Sequence, residues 1–339
     1  MPGREAFRES SSSSAGNSPP RKAVVLQTHF IDRPVEKLFA SIRRDLPPGY
    51  DTFILMHVAP GTPKPAALNS AIPHHFVTTT EIRNPAYFAK SAGGEEWRVW
   101  RGGHTDLIAL HFFNAHPEYD RYWFIEYDVR FSGPWSELFT SFESDPADFI
   151  SCNMRRATTD PDWMHWPSLR TPAGTGELSA TDRLASFMPI FRVSRRALAT
   201  VDRAYREGWS GHCEVTWATI MHRAGLRLRD FGGDGEFVAL GNRNRFYTNT
   251  LHDKDLAPGS LVFRPARAMV GFRRNRLWHP VKPLRYKLRE DARHIWVSLK
   301  PYLRWVPGVT PPIELPAQHQ RSVTYWTKQA TPGPSQRSS

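Results

Sequence analysis

Cysteine is nearly absent from this chain: only Cys152 and Cys213 occur in 339 residues. Two such distant residues make neither a disulfide framework nor a closely spaced metal motif, which fits a reducing compartment. Long apolar runs are missing as well. None approaches the roughly 18 residues of a membrane span, and the amino terminus lacks the apolar core of a secretory signal. The expectation is a cytoplasmic protein, peripheral at most at the inner face of a membrane. GxxxxGK[ST], GxGxxG and GxSxG patterns do not occur, which counts against P-loop kinases and sulfotransferases, dinucleotide oxidoreductases and ordinary α/β-hydrolases. Acids are scarce relative to bases, 33 Asp and Glu against 45 Lys and Arg, giving a formal charge of +12. That balance favours polyanionic partners: an anionic membrane, phosphorylated small molecules or nucleic acid. Nucleic acid is the weakest of the three, because no zinc-finger spacing or RNA-recognition consensus is present.

What the chain does contain is an alternation of strand and helix patterns between two polar ends. Residues 1–21, with Ser10 to Ser14 and Pro19-Pro20, cannot bury enough surface to order themselves and read as a disordered tail, as do residues 318–339. KAVVLQTHF (22–30) reads as a strand. Val35, Leu38, Phe39, Ile42 and Leu46 then recur at helical spacing behind Asp32 and Pro34, and DTFILMHVA (51–59) is a second strand. Strand, helix and strand with short links form a βαβ unit with a parallel pair. HHFVTTTEI (74–82) reads as a third strand, 107–116 as a helix with Leu107, Ala109, Leu110 and Phe113 inward, and 131–144 as a helix capped near Ser132. Strands follow at 148–154 and 184–193, with an irregular excursion over 155–183 between them. Loops of that length are usually functional, often acceptor-binding, or else mobile. A helix opens at Ser194 and closes at Gly208, another runs on from Val215 to Gly225, and 284–306 is basic and amphipathic. The reading is an α/β fold with a mostly parallel central sheet flanked by helices, one domain over 22–283, and a basic helical extension over 284–317.

One stretch organises the rest, RYWFIEYDVRFSGPW (121–135). Tyr122-Trp123-Phe124-Ile125 is a short aromatic and β-branched run of the kind buried in parallel sheets. Glu126 and Asp128 stand at its carboxyl end, where open α/β sheets bind ligands. Mg2+ typically takes one or two protein carboxylates together with substrate phosphates, so a strand ending in Glu-Tyr-Asp points to a metal–diphosphate site. The competing reading is that both acids cap the strand and pair with arginines. Gly93-Gly94 and Gly102-Gly103 fit loops passing close to a nucleotide, or plain turns.

The passage HTDLIALHFFNAHPEYDRYWFIEYDVRF resembles the helix–loop–strand that carries the metal motif in GT-A nucleotide-sugar glycosyltransferases, with Glu126-Tyr127-Asp128 where that class usually has Asp-x-Asp. GHCEVTWATIMHRAGLRLRD is similar to the later segment in which an acid opens a helix. The resemblance covers roughly 22–283. It implies a Rossmann-type nucleotide-binding half plus an acceptor half, Mn2+ or Mg2+ as cofactor, and a nucleotide diphosphate sugar as donor. Asp128 becomes the main metal ligand, with His279 of LWHPVK the C-terminal ligand and His252 its rival. Glu214 becomes the candidate catalytic base, kept ionised by a helix N-terminus that lowers its pKa. Gly103, Asp106, Glu126 and Lys282 are placed at the donor, with Lys282 and an arginine from 264–276 adding charge toward the diphosphate. His212, two residues before Glu214, is placed near the site. The acceptor is a glycan, lipid or protein, and the basic helix over 284–304 is a candidate contact for an anionic membrane. The alternative is a non-catalytic basic protein on the same scaffold that binds a polyanion or glycan.

Overall fold

The computed structural model describes residues 20–303 except 63–71, 95–96, 101, 249–258 and 264. The tails over 1–19 and 304–339, and with them most of the expected terminal segments, lie outside the described residues. The chain divides into two compact units, 1–284 and 285–339.

The first unit is built on a seven-stranded sheet. Its early strands are β1 (Lys22–Thr28), β2 (Tyr50–Val58), β3 (His74–Thr78) and β4 (Arg121–Glu126); its later ones are β6 (Phe149–Arg156), β7 (Leu184–Ser194) and β8 (Leu228–Asp230). The strand order is β3-β2-β1-β4-β7-β6-β8. β3, β2, β1 and β4 are mutually parallel, β7 is antiparallel to both β4 and β6, and β8 is parallel to β6. The mostly parallel sheet with flanking helices expected from the alternation is therefore what the chain forms. Parallel pairing aligns the carboxyl ends of β1, β2, β3 and β4 along one edge, where ligands of such sheets sit.

Side chains alternate across this sheet with period two, so each strand feeds two cores. Ala23, Val25, Phe124 and Phe191 face one core, which α3 (Asp106–Ala115), α5 (Arg195–Arg206) and α6 (Cys213–Arg223) cover. Val24, Leu26, Trp123 and Ile125 face the other, under α1 (Arg33–Asp45) and α4 (Trp135–Ser141). Each fully buried side chain of this size contributes on the order of 1.5–3 kcal/mol. Helix α3 is apolar nearly all round, with Leu107, Ile108, Ala109, Leu110, Phe112 and Phe113 all buried. It is therefore a core helix and not an amphipathic surface one.

Three local expectations change. The third strand stops at Thr78, because Thr78 and Glu81 form a reciprocal capping box and Thr79–Ile82 turns into the short helix α2. The helix read over 131–144 shrinks to Trp135–Ser141 without a side-chain cap; Arg130–Phe131 instead forms β5, antiparallel to β9 (Leu277–Trp278). Ser132 is used by that distant segment, its hydroxyl hydrogen-bonding the Arg276 backbone and the Trp278 indole rather than a helix end. The excursion over 155–183 stays largely irregular, with one short 3-10 turn at Trp166–Ser168. The second unit is described through helix α7 (Leu284–Leu303), which begins at the unit boundary. Among the described residues, no helix is long and apolar enough to cross a membrane.

Candidate active site

Glu126 is the last residue of β4, and Asp128 follows one turn residue later. His279 is 151 positions away, yet a ladder of backbone bonds brings it to them. The β5–β9 pair starts the alignment. The Val281 amide then donates to the Asp128 carbonyl at 2.8 Å, and the His279 amide donates to Ser260 O at 3.0 Å. The His279 Nδ1 lies 2.8 Å from the Val262 carbonyl. A carbonyl only accepts, so Nδ1 carries the proton and Nε2 is the nitrogen turned toward the acids. Nε2 is 3.5 Å from Glu126 Oε2 and 3.4 Å from Asp128 Oδ1. One donor atom from each of Glu126, Asp128 and His279 falls within 4.8 Å of the others.

Electrostatics marks the cluster as a place that wants positive charge. Burial pushes the Glu126 carboxyl up, and His279 offsets this only in part. Burial also pushes Asp128 upward, but the charge of His279 and then Lys282 outweighs it, so Asp128 is held below its usual range. His279 is pressed down by burial yet raised by Asp128 and Glu126, to about 10. Lys282 Nζ lies 3.8 Å from Asp128 Oδ2. Asp128 Oδ1 is buried and makes no well-aligned hydrogen bond, and the group that faces it is His279 Nε2 at 3.4 Å. Two buried or half-buried carboxylates and an oriented imidazole nitrogen, within 4.8 Å of one another, suit a divalent cation of the Mn2+ or Mg2+ type that would take the place of the imidazole proton.

Glu214 opens α6 and reaches the same region. Its carboxylate accepts from the Met188 amide on β7, and the charges of Glu126 and His279 both influence it. The expected depression of its pKa by the helix N-terminus is overturned. Burial dominates and raises it to about 7, with Arg155 pulling the other way. The helix end is instead capped by the preceding imidazole, since the Glu214 amide donates to His212 Nδ1 at 3.3 Å.

The remaining expected residues are placed as follows. Asp106 is inside the protein, 2% exposed, where Lys90 Nζ (3.3 Å), Trp217 Nε1 (2.9 Å) and the Tyr205 hydroxyl surround its carboxylate. It thus binds the interior and presents nothing to a donor, a correction to its expected place. Gly103 adopts a φ of +65°, and a Cβ there would stand 2.2 Å from the His212 ring. Histidine 212 is thus the neighbour that requires glycine at this position. Lys90 ties the two together, donating to the carbonyls of Gly103 (3.1 Å) and Gly211 (2.6 Å). His252 lies outside the described residues.

Sequence reasoning missed several neighbours. Trp100, 48% exposed, packs its ring against His29 (5.5 Å) and His57 (6.2 Å). A cleft lined by Gln27, Thr28, Trp100, Thr105, Ile108, Glu126 and Tyr127 connects this group to the acids. Position just past β1 was the available signal for His29, by the same strand-end rule that singled out Glu126. On the other side of Glu214, Arg155 sits over the Trp163 ring at 4.6 Å, and His165 stacks on His212 at 4.0 Å.

The site is thus a carboxylate–imidazole cleft at the ligand-binding edge of an α/β sheet. No family model matches the chain, and no curated protein matches it. Among solved structures the chain is similar to the apo form of mouse xyloside xylosyltransferase 1, at 10% identity and a TM-score of 0.34, over 63% of this chain and 87% of that one. It is also similar to glucosyl-3-phosphoglycerate synthase from Mycobacterium tuberculosis in complex with Mn2+, UDP and phosphoglyceric acid. There the identity is 16% and the TM-score 0.31, over 54% of this chain and 59% of that one. A third is a glycosyltransferase involved in glycosylation of the major capsid of PBCV-1, at 12% identity and a TM-score of 0.23, over 54% and 64% of the two chains.

Proposed function

We propose that the protein transfers a sugar from a nucleotide diphosphate sugar to an acceptor hydroxyl. The observation that carries this reading is the convergence of Glu126, Asp128 and His279 at the end of β4, one donor atom from each lying within 4.8 Å of the others. A divalent cation held there would supply the charge that stabilises a departing diphosphate. Lys282, already 3.8 Å from Asp128, would add a second positive charge to the same oxygens. In the transfer, the bond from the anomeric carbon to the diphosphate oxygen breaks and a bond to the acceptor oxygen forms. The acceptor's proton must leave, and Glu214 is the group we assign to take it. A carboxylate whose pKa is raised to about 7 is well matched to accepting a proton near neutral pH. We place the nucleoside against the Trp100 ring, because an exposed indole offers a face to a flat base.

Release of nucleoside diphosphate tests this. The protein is incubated with UDP- and GDP-sugars in Mn2+ or Mg2+, with and without simple glycoside acceptors. Metal-dependent release from one donor, retained by wild type and lost in Glu214→Gln, supports the reading. Binding of polyanions with no release from any donor favours the non-catalytic alternative.

A further inference from the structure

The β9 strand that delivers His279 is preceded by a loop whose side chains point the wrong way for a core. Met269 is 72% exposed and Phe272 fully so, with Val270 between them also on the surface. This exposure does not come from a loose segment. Arg267 pairs with Val281 at the loop's base, its amide donating to Pro280 O at 2.9 Å, and the Lys282 amide donates back to Arg267 O at 2.8 Å. At the centre, Gly271 lies so close over Trp278 that a Cβ would stand 2.1 Å from the indole. The Ser132 hydroxyl donates to Arg273 O at 2.5 Å and clamps the far side. The fold thus holds three apolar side chains outward on a pinned backbone, against the hydrophobic effect, at a cost that only a partner can offset.

Charge identifies the partner. Arg273 and Arg274, both exposed, follow Phe272 directly. No acid occurs from 265 to 284, while five Lys and Arg do. Protruding apolar tips followed by exposed arginines fit an anionic bilayer, where the tips enter the acyl boundary and the arginines meet headgroup phosphates. A protein interface instead needs a broad complementary surface of at least about 1,000 Å², which a three-residue tip does not offer. We propose that the 268–274 loop is a membrane-docking wedge for anionic lipid, seating the chain on a bilayer beside the strand that carries His279. The proposal stands independently of sugar transfer, because docking requires no donor.

The test uses the full chain. Cys152 and Cys213 are both buried, so Phe272→Cys gives a unique surface thiol for an environment-sensitive dye. Vesicles of phosphatidylcholine alone, and of phosphatidylcholine with about one-third phosphatidylserine, are titrated at moderate salt. The expected result is a blue shift and intensity gain only with the anionic vesicles, quenched by spin labels placed in the acyl region. In unlabelled protein, co-sedimentation should weaken about thirtyfold for Arg273→Gln/Arg274→Gln, given about 1 kcal/mol per basic residue at an anionic surface. Met269→Ser/Phe272→Ser should weaken it comparably with an unchanged circular dichroism spectrum. Absence of vesicle binding overturns the proposal. So does binding that leaves the dye at 272 unshifted, which would locate the contact elsewhere, or a dye shift produced by an acidic protein and not by vesicles.

Discussion

Replacing Lys90 by Met should destabilise the protein more than almost any other single polar change. The Lys90 ammonium is buried and meets Asp106 at 3.3 Å, the Gly103 carbonyl at 3.1 Å and the Gly211 carbonyl at 2.6 Å. Methionine fills similar volume but donates nothing. Asp106 would keep the Tyr205 hydroxyl and the Trp217 indole, yet its Oδ1 is already without a hydrogen-bond partner. A buried carboxylate would therefore be left short of both charge and donors. Breaking a buried pair from one side costs about 3–5 kcal/mol, and two orphaned carbonyls add to it. For a unit of this size about 1 kcal/mol corresponds to 2–4 °C in melting temperature, so a fall of roughly 6–20 °C is expected. Asp106→Asn in the same background removes the stranded charge and should recover part of the loss. Urea unfolding of wild type, both single variants and the double variant would measure this. A Lys90→Met cost under about 1 kcal/mol, or a double variant no better than the sum of the singles, would refute the reasoning.

Other consequences follow from the same geometry. Glu214→Gln should lower turnover by about 10²–10⁴ while nucleotide binding persists. In wild type the rate should fall as pH drops through about 7, because the carboxylate must be ionised to accept a proton. The same raised pKa sets the sign of a stability effect. Glu214 stays protonated in the fold up to about 7 but ionises near 4.5 when unfolded, so wild type loses stability across that window as pH rises. Glutamine does not titrate. Discounted for partial exposure, Glu214→Gln should therefore gain about 1–3 kcal/mol on wild type between pH 5 and pH 8, readable in paired melts; no change in the gap would contradict burial as the cause. Gly103→Ala meets both a φ of +65° and the His212 ring at 2.2 Å. It should cost about 2–4 kcal/mol and, by moving the start of α6, reduce kcat more than donor affinity in steady-state assays.

The parts of this fold that were legible in the sequence are those fixed by local chemistry. β1, α1 and β2 show their periodicity, caps and Pro-Gly stops within a few residues, and the acids after β4 stand where a strand-end rule points. What was not legible depends on distant partners. Nothing local shows that Ser132 serves Trp278, or that Arg130–Phe131 is a strand, because its ladder partner is Leu277–Trp278, far along the chain. The strand reading of 74–82 rests on its β-branched run, whereas the chain turns at Thr78 into a helix held by the Thr78–Glu81 capping box. Asp106 and Glu214 share a lesson. Each opens a helix, where an acid is ordinarily solvated, but Asp106 is enclosed by Lys90, Tyr205 and Trp217 and Glu214 is raised to about 7 by burial, and burial is a property of the assembled layers. His279, chosen from resemblance, is brought to the acids by backbone bonds from residues 260–262 that carry no side-chain signature.

The central claim is that Glu126, Asp128 and His279 hold a cation that in turn holds a nucleoside diphosphate. Titration calorimetry of UDP and GDP into wild type and Asp128→Asn, each with Mn2+ and with chelator, tests it most directly. The account predicts binding of one nucleotide by wild type in Mn2+, at least about tenfold weaker under chelator, and similarly weakened in Asp128→Asn under either condition. Equal affinity with and without metal, or an Asp128→Asn variant that binds like wild type, would contradict it.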